Sequence, residues 1–331
     1  MAQTQLYPRK SQLHIVPETT TDAYLAPAGT GANMVQVENL AYSITSEQFA
    51  PNYIRPDYLS SDESPGATQG QLTFEWPLRG SGTAGTAPQI ANALKACGMS
   101  ETTVASTSVT YKNVSTFDGA GGNPASSYSL SWLLNGVRFA LKGAFGTWRL
   151  VGDVKTTGRL FFTFLGAYVA FAADALEAPT YQTTLAPRFN NNGLFSTNFG
   201  GVYVPKGVNN FELEQGNQIV IGMDVNDPTG IYGARITGRK SSGFFDCELV
   251  LPATKDFFAI REAGTAGTIT TGVIGGTAGN QWQTSVNRAT LRPIEVLGEV
   301  GNIARVRVPF GVSSLGTDVE STNPDVSLVF T

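Results

Sequence analysis

Imidazole is almost missing from this chain: His14 is the single histidine among 331 residues. A Ser-His-Asp triad, a Cys-His pair or a histidine-based metal site needs an imidazole held rigidly by a packed shell. His14 sits instead in a polar, proline-punctuated stretch that reads as a flexible arm, with the histidine at its surface. The expectation is a protein with no catalytic residues, no metal site and no cofactor. Cysteine is equally scarce. Cys97 and Cys247 each lie in an apolar pattern, and no CxxC or larger framework exists, so both read as buried thiols. Charge is thin as well, at 15% of residues against the usual quarter. With 22 Lys plus Arg against 26 Asp plus Glu, a net charge of −4 and no basic run, tight nucleic-acid binding is not expected. Depletion of Lys and Glu suits a surface that neighbouring subunits cover. No apolar core follows Arg9 and Lys10 as in a secretory signal. The longest apolar stretch, Leu160 to Ala173, is interrupted by Thr163 and is too short to span a bilayer. A soluble product made in the cytoplasm is the expectation.

What the chain has is Gly, Thr, Ser and aromatic residues, a balance that favours strands and turns. Its length allows two domains of roughly 150 residues each. Met1 to Asn33 shows no persistent period and reads as an extended arm. Gln71 to Leu78 alternates, with Leu72, Phe74, Trp76 and Leu78 on one face and Gln71, Thr73 and Glu75 on the other, as in a half-buried strand. Asn135-Gly136 between two apolar runs predicts a hairpin, because a type I′ turn needs positive φ at both positions. Arg159 to Val169 reads as a deeply buried strand, and Pro179, Pro187 and Asn190 to Gly193 mark a linker. One helix is predicted with Thr86 as N-cap, Pro88 in the first turn, Ile90, Leu94 and Cys97 on one stripe, and Gly98 at its end.

The second half repeats this order. "GQLTFEWPL" from Gly70 is matched by "GFFDCELVL" from Gly243, placing Glu75 opposite Glu248 and Leu78 opposite Leu251. "VENL" from Val37 corresponds to "VNNF" from Val208, and the spacing from Val to Gly is 33 positions in one copy and 35 in the other. Arg55 and Arg239 fall between the two matches. Downstream, Thr254 as N-cap, Phe257 and Ile260 on one face and Gly264 as stop predict a second helix matching the first. Beyond the helices the similarity weakens to "VKTTGRLFFTFLG" beside "EVGNIARVRVPFG". An internal duplication is the expectation.

Three sequence patterns invite chemical readings. "GSGTAG", Gly80 to Gly85, is a literal GxGxxG between a strand and a helix, but that strand alternates and Pro88 places the helix start after the last glycine, so a dinucleotide site is not expected. "GARITGRKS", Gly233 to Ser241, lacks the Gly-Lys-Ser step of a phosphate loop because Arg239 intervenes, and reads as a polar turn. Asp62 with Glu63, and Asp224 with Asp227, sit in turn sequences where solvated carboxylates are common; a glycosidase-type pair has no further support.

With these residues in place, the chain resembles the major tail tube proteins of long-tailed, siphovirus-like bacteriophages. The resemblance rests on "VENLAYSI", "IRPDYLSS", "GQLTFEWPLRGSGTAGTAPQIANALKACG" and "GVRFALKGAFGTW" running into "GRLFFTFLGAYV". It covers Met34 to Ala170 well and the second half through the repeat. It implies a mainly β protein of two tandem tail-tube-like β-sandwich or barrel domains, each with one flanking α-helix. The corresponding boundaries are an arm at 1–33, a first domain at 34–170, a linker at 171–207 and a second domain at 208–331. It further implies a structural, non-enzymatic virion protein that self-assembles into stacked rings forming a tail tube, the conduit for double-stranded DNA during ejection. Family rings have six tube domains, so two per chain imply a trimer of chains with approximate sixfold symmetry. Implied partners are further copies of the chain, a tape measure protein and a tail terminator, with transient passage of DNA and no membrane; the implied location is the virion tail after assembly in the bacterial cytoplasm. By this resemblance Gln71, Thr73, Glu75, Asp246 and Glu248 face the channel, and Asp57, Tyr58, Asp62 and Glu63 contact the adjacent ring. The competing expectations are another tail component, such as a terminator or connector ring, and a carbohydrate-binding or carbohydrate-cleaving β-protein that uses Trp148 or Trp282 as a sugar platform.

Overall fold

The architecture was determined from a computed structural model that describes residues 10–28, 30–31, 33–54, 59, 62–190, 194–300, 302–313 and 325–331, without the side chains of 299 and 300. The first nine residues of the expected arm, Arg55, and positions 191–193 of the expected linker lie outside the described residues. The protein is mainly β. In chain order the elements are β1 (Ser11–Pro17), β2 (Met34–Val35), β3 (Glu38–Phe49), β4 (Ser64–Pro77), α1 (Ala91–Ala96), β5 (Met99–Val104), β6 (Ser108–Asn113), β7 (Tyr128–Leu134), β8 (Val137–Asp153) and β9 (Arg159–Ala173). There follow β10 (Ser196–Asn198), β11 (Val202–Tyr203), β12 (Asn210–Glu214), β13 (Asn217–Met223), β14 (Ile231–Arg239), β15 (Ser242–Glu248), α2 (Phe257–Glu262), β16 (Ala266–Thr270), β17 (Trp282–Leu291), β18 (Glu295–Val300), β19 (Ile303–Val312) and β20 (Val326–Phe330).

The central sheet forms because β4 alternates. Leu72, Phe74 and Trp76 turn inward, where Phe74 pairs with Phe162 and Trp76 with Leu160 on β9. The Phe74 ring stacks on Phe162 and Phe164 at centroid distances of 5.0 and 5.8 Å. Aromatic pairs of this kind add to the stabilisation already gained from buried area. β9 alternates as well: Leu160, Phe162 and Phe164 are buried while Phe161 and Thr163 are half-buried, so it has one core face where a strand buried on both faces was predicted. The β7–β8 hairpin turns at Asn135 and Gly136, with φ of 44° and 103°, the two positive values a type I′ turn requires.

Antiparallel pairings run β3–β4–β9–β8 and then, without interruption, β12–β15–β19–β18. β8 is long enough to serve twice. Its first half pairs with β7, and its last residues pair with β12. The second layer is also shared, because β20 lies between β6 and β17. Each central strand β4 and β15 is followed by one short helix. α1 carries Ile90, Leu94 and Cys97 fully buried and ends at Gly98, whose φ of +76° suits a glycine. It begins at Ala91 with Ile90 as an N-cap that makes no side-chain bond, four residues later than a Thr86 cap predicts, because Pro88 and Ile90 form a preceding turn. α2 is capped by Asp256, whose carboxylate accepts from the Ala259 N–H at 2.9 Å, in place of the predicted Thr254; Gly264 closes it at φ +61°.

Residues 11–17 differ from the expected arm. They form β1, which pairs along its whole length with β7 and buries Leu13 and Ile15. His14 is therefore not a surface residue: it lies opposite Ser131 and is 2% exposed, and burial lowers its pKa. The stretch is too short for its alternation to register, and its burial comes from a partner more than a hundred residues away. "GARITGRKS" is likewise not a turn but strand β14 running into β15, held by Arg239, which donates to Asn217 Oδ1 at 2.9 Å and to the Gly98 and Val114 carbonyls at 3.2 and 3.3 Å. Cys97 and Cys247 are buried free thiols; burial pushes the first well above its usual value and the second to about 12.

Candidate assembly site and channel face

The two halves of the chain meet along the backbone ladder of β8 with β12, where Asp153 pairs with Asn210, Val151 with Glu212 and Arg149 with Glu214. A buried polar cluster closes one end of this seam. Gln215 Nε2 donates to the Cys97 carbonyl at 2.8 Å and to Asn113 Oδ1 at 2.9 Å, Ser241 Oγ donates to the Gln215 carbonyl at 2.7 Å, and Asn217 Nδ2 donates to the Gly146 carbonyl at 2.8 Å. Every polar group named here is satisfied, as burial demands. The β13–β14 hairpin of the second half then lies over the first, tied by Arg235 to Asp22 at 3.0 Å and by Lys142 to Asp227. Asp227 also accepts from Thr229 N–H and Oγ1, and these bonds together with Lys142 hold its carboxyl below the usual range against some desolvation.

Both ends of this run of strands are open. Among the described residues β3 pairs only with β4 and β18 only with β19. Both carry exposed apolar side chains, Ile44 and Phe49 on one and Val296 and Leu297 on the other. Unpaired edges of this kind are templates for another strand unless covered or blunted.

The non-core face of β3, β4, β9, β8 and β12 is concave and encloses a cleft of about 410 Å³ lined by Thr73, Glu75, Thr147, Arg149, Thr163 and Glu212, among others. Glu75 accepts from Asn39 Nδ2 at 2.9 Å and from Arg159 at 3.1 Å, and the same Arg159 reaches Glu38 at 2.9 Å. Arg149 stands 3.5 Å from Glu212 and over the Phe161 ring. The carboxylates of Glu38, Glu75, Glu212, Glu214 and Asp246 thus outnumber the guanidinium groups of Arg149, Arg159 and Arg307 around this sheet.

Of the sequence-predicted channel residues, Gln71, Thr73 and Glu75 are half-buried on this face, and Thr73 and Glu75 line the cleft. Asp246 alternates onto the non-core side of β15 but is covered. It is 6% exposed and grips Arg307 through bonds of 2.8 and 3.0 Å, while that guanidinium stacks over Phe244 at 4.2 Å. Glu248 is half-buried at the end of β15, away from Glu75, where it borders a second, apolar cleft beside α2. Asp62 and Glu63 are exposed at the foot of the β3–β4 hairpin tip, whereas Asp57 and Tyr58 lie outside the described residues. Glu212, Glu214, Arg149 and Arg159 were not singled out from sequence. "NFELE", with Phe211 and Leu213 buried and the two glutamates outward, carries a period of two that could have revealed the first pair.

The remaining motifs have packing roles. A Cβ on Gly80 would come within 2.1 Å of the Gly279 carbonyl oxygen, so "GSGTAG" is pressed against a loop of the second half where a phosphate would need room. Trp148 and Trp282 are buried, Trp148 against Met99 through its indole N–H, so neither offers a face to a sugar. No helix is long and apolar enough among the described residues to cross a membrane. No protein-family model matches the sequence, and no curated protein matches it.

Proposed function

We propose that this chain is a structural subunit that closes into rings and stacks into the tail tube of a long-tailed bacteriophage, a conduit for duplex DNA. The observation that carries the proposal is the β8–β12 seam. It joins two runs of the same order, β3–β4–β9–β8 and β12–β15–β19–β18, each with a short helix after its second strand, and leaves open edges at both ends. This supports reading the chain as two tandem tube domains. Repeating the seam between molecules, with β18 of one beside β3 of the next, is a heterologous contact that closes when its rotation divides a full turn. Three chains would supply six domains. Closure would remove both edges, as in any barrel.

The concave face gives the conduit its physical character. A basic wall would hold the DNA backbone by releasing counterions and would stall its passage. Here arginines are paired to glutamates and carboxylates are in excess, so little positive charge is left to grip phosphate. The decisive experiment is native mass measurement with electron microscopy of the concentrated protein. Rings of three chains stacked into hollow cylinders are expected. Rings of six chains would overturn the tandem count, and monomers at all concentrations would overturn the assembly itself.

A further inference from the structure

The strand directions separate two apolar features of the molecule. β4 and β15 run the same way, since each of the four intervening pairings from β4 through β9, β8 and β12 to β15 is antiparallel. The β3–β4 hairpin tip precedes β4, at the entry end of the sheet. It carries Phe49 and Ile54 exposed, the latter completely. At the exit end, after β15, lies the cleft beside α2, about 460 Å³ in volume and walled by Leu249, Leu251, Pro252, Phe257 and Phe258. At about 3.3 Å per residue the two are roughly 40 Å apart, so a tip cannot fill its own molecule's cleft.

The first half shows what such a cleft accommodates. Beside α1 the corresponding place is covered by extended segments of the chain. The Thr180 carbonyl accepts from Gln89 at 3.0 Å, the Thr184 carbonyl from Arg79 at 3.3 Å, and the Ile15 carbonyl from Asn92 at 2.9 Å. Leu78 is 0% exposed under this cover, whereas Leu251, its counterpart in the repeat, is 76% exposed. The second cleft lacks a cover that the first possesses, and an exposed apolar tip stands at the opposite end of the same molecule. A plug and a socket at opposite ends generate an open, head-to-tail series.

We infer that the cleft beside α2 receives the β3–β4 hairpin tip, around Phe49 and Ile54, of a second copy of this chain in the next ring. The inference rests on the tube reading and names its stacking contact. It is tested by mixing chains carrying Ile54→Cys with chains carrying Leu251→Cys, under mild oxidation. Both positions are exposed, so the fold should tolerate them, and the native thiols are buried. A disulfide-linked dimer is expected from the mixture and from neither chain alone. In parallel, Ile54→Asp and Leu251→Asp should each leave ring mass unchanged and shorten the tubes at least severalfold. Rings without the mixed dimer, or full-length tubes from both aspartate variants, would overturn the contact and leave ring formation standing. The mixed dimer without rings would retain the contact and refute the ring. Neither rings nor dimer would overturn both.

Discussion

Glu18 is the most informative single side chain for testing the physics of this fold. It follows β1, is 9% exposed, and accepts from Ser127 Oγ, from Ser129 Oγ at 2.7 Å and from the Gly143 N–H at 2.8 Å. It thereby fastens the first strand to β7 and β8. Burial raises its pKa, outweighing the three hydrogen bonds that favour the charged form. Glu18→Ala strips all three acceptor contacts, each worth about 1.5–3 kcal/mol when the acceptor is charged, but also removes the cost of burying a carboxylate. The net loss expected is about 3 kcal/mol, a fall in Tm of roughly 4–6 °C for a chain of this size. Glu18→Gln keeps an acceptor for Ser129 and Gly143 and cannot ionise. A folded pKa above the unfolded one means that the stability Glu18 contributes is fully present below the ordinary value of 4.5 and is lost as pH rises through the folded pKa. Wild type should therefore be best relative to Glu18→Gln at pH 4 and lose ground toward pH 7, by about 1.4 kcal/mol for each tenfold difference in proton affinity between the folded and unfolded chains. Denaturant midpoints of both chains at the two pH values measure this. A wild type that gains on Glu18→Gln as pH rises would refute the reasoning, because it would mean that the hydrogen bonds, rather than burial, dominate this site.

Three further outcomes are expected. Glu75→Lys adds an unpaired cation beside Arg159, so assembled tubes should retain duplex DNA at low salt and release it as salt rises, measured by co-sedimentation; equal retention by wild type would count against the channel assignment. Proline at Ser43 or at Ile44 removes N–H groups that point to opposite sides of β3: one variant should destabilise the chain through its β4 pairing, and the other should keep a near-native Tm yet fail to form rings, as read by calorimetry and native mass. Trp148→Ala empties a fully packed site beside Met99 and should cost about 3–5 kcal/mol in chemical denaturation, whereas a loss under about 1 kcal/mol would mean that the site collapses.

The parts legible in sequence are those whose cause is local. Asn135-Gly136 announces its turn because few other residues take two successive positive φ values. The alternation of Leu72, Phe74 and Trp76, and Gly98 and Gly264 behind their helices, are equally local. Helix starts are less legible, because Thr86 and Thr254 have the chemistry of caps and tertiary packing passes them over for Ile90 and Asp256. The burial of His14 and the cover over Asp246 leave no local signal because each depends on a neighbour brought from elsewhere: β7 for the first, Arg307 on β19 for the second.

Sequence alone determined that this would be a strand-rich chain of low charge, with two buried thiols and a pattern that recurs in its second half, since composition and short-range periodicity suffice for each. Tertiary structure alone decided that β8 would pair with β12, that β20 would enter between β6 and β17, and that β3 and β18 would remain as the open margins. Backbone ladders are chemically alike along any extended segment, so which strands meet is selected by the packing of whole faces across long stretches of chain.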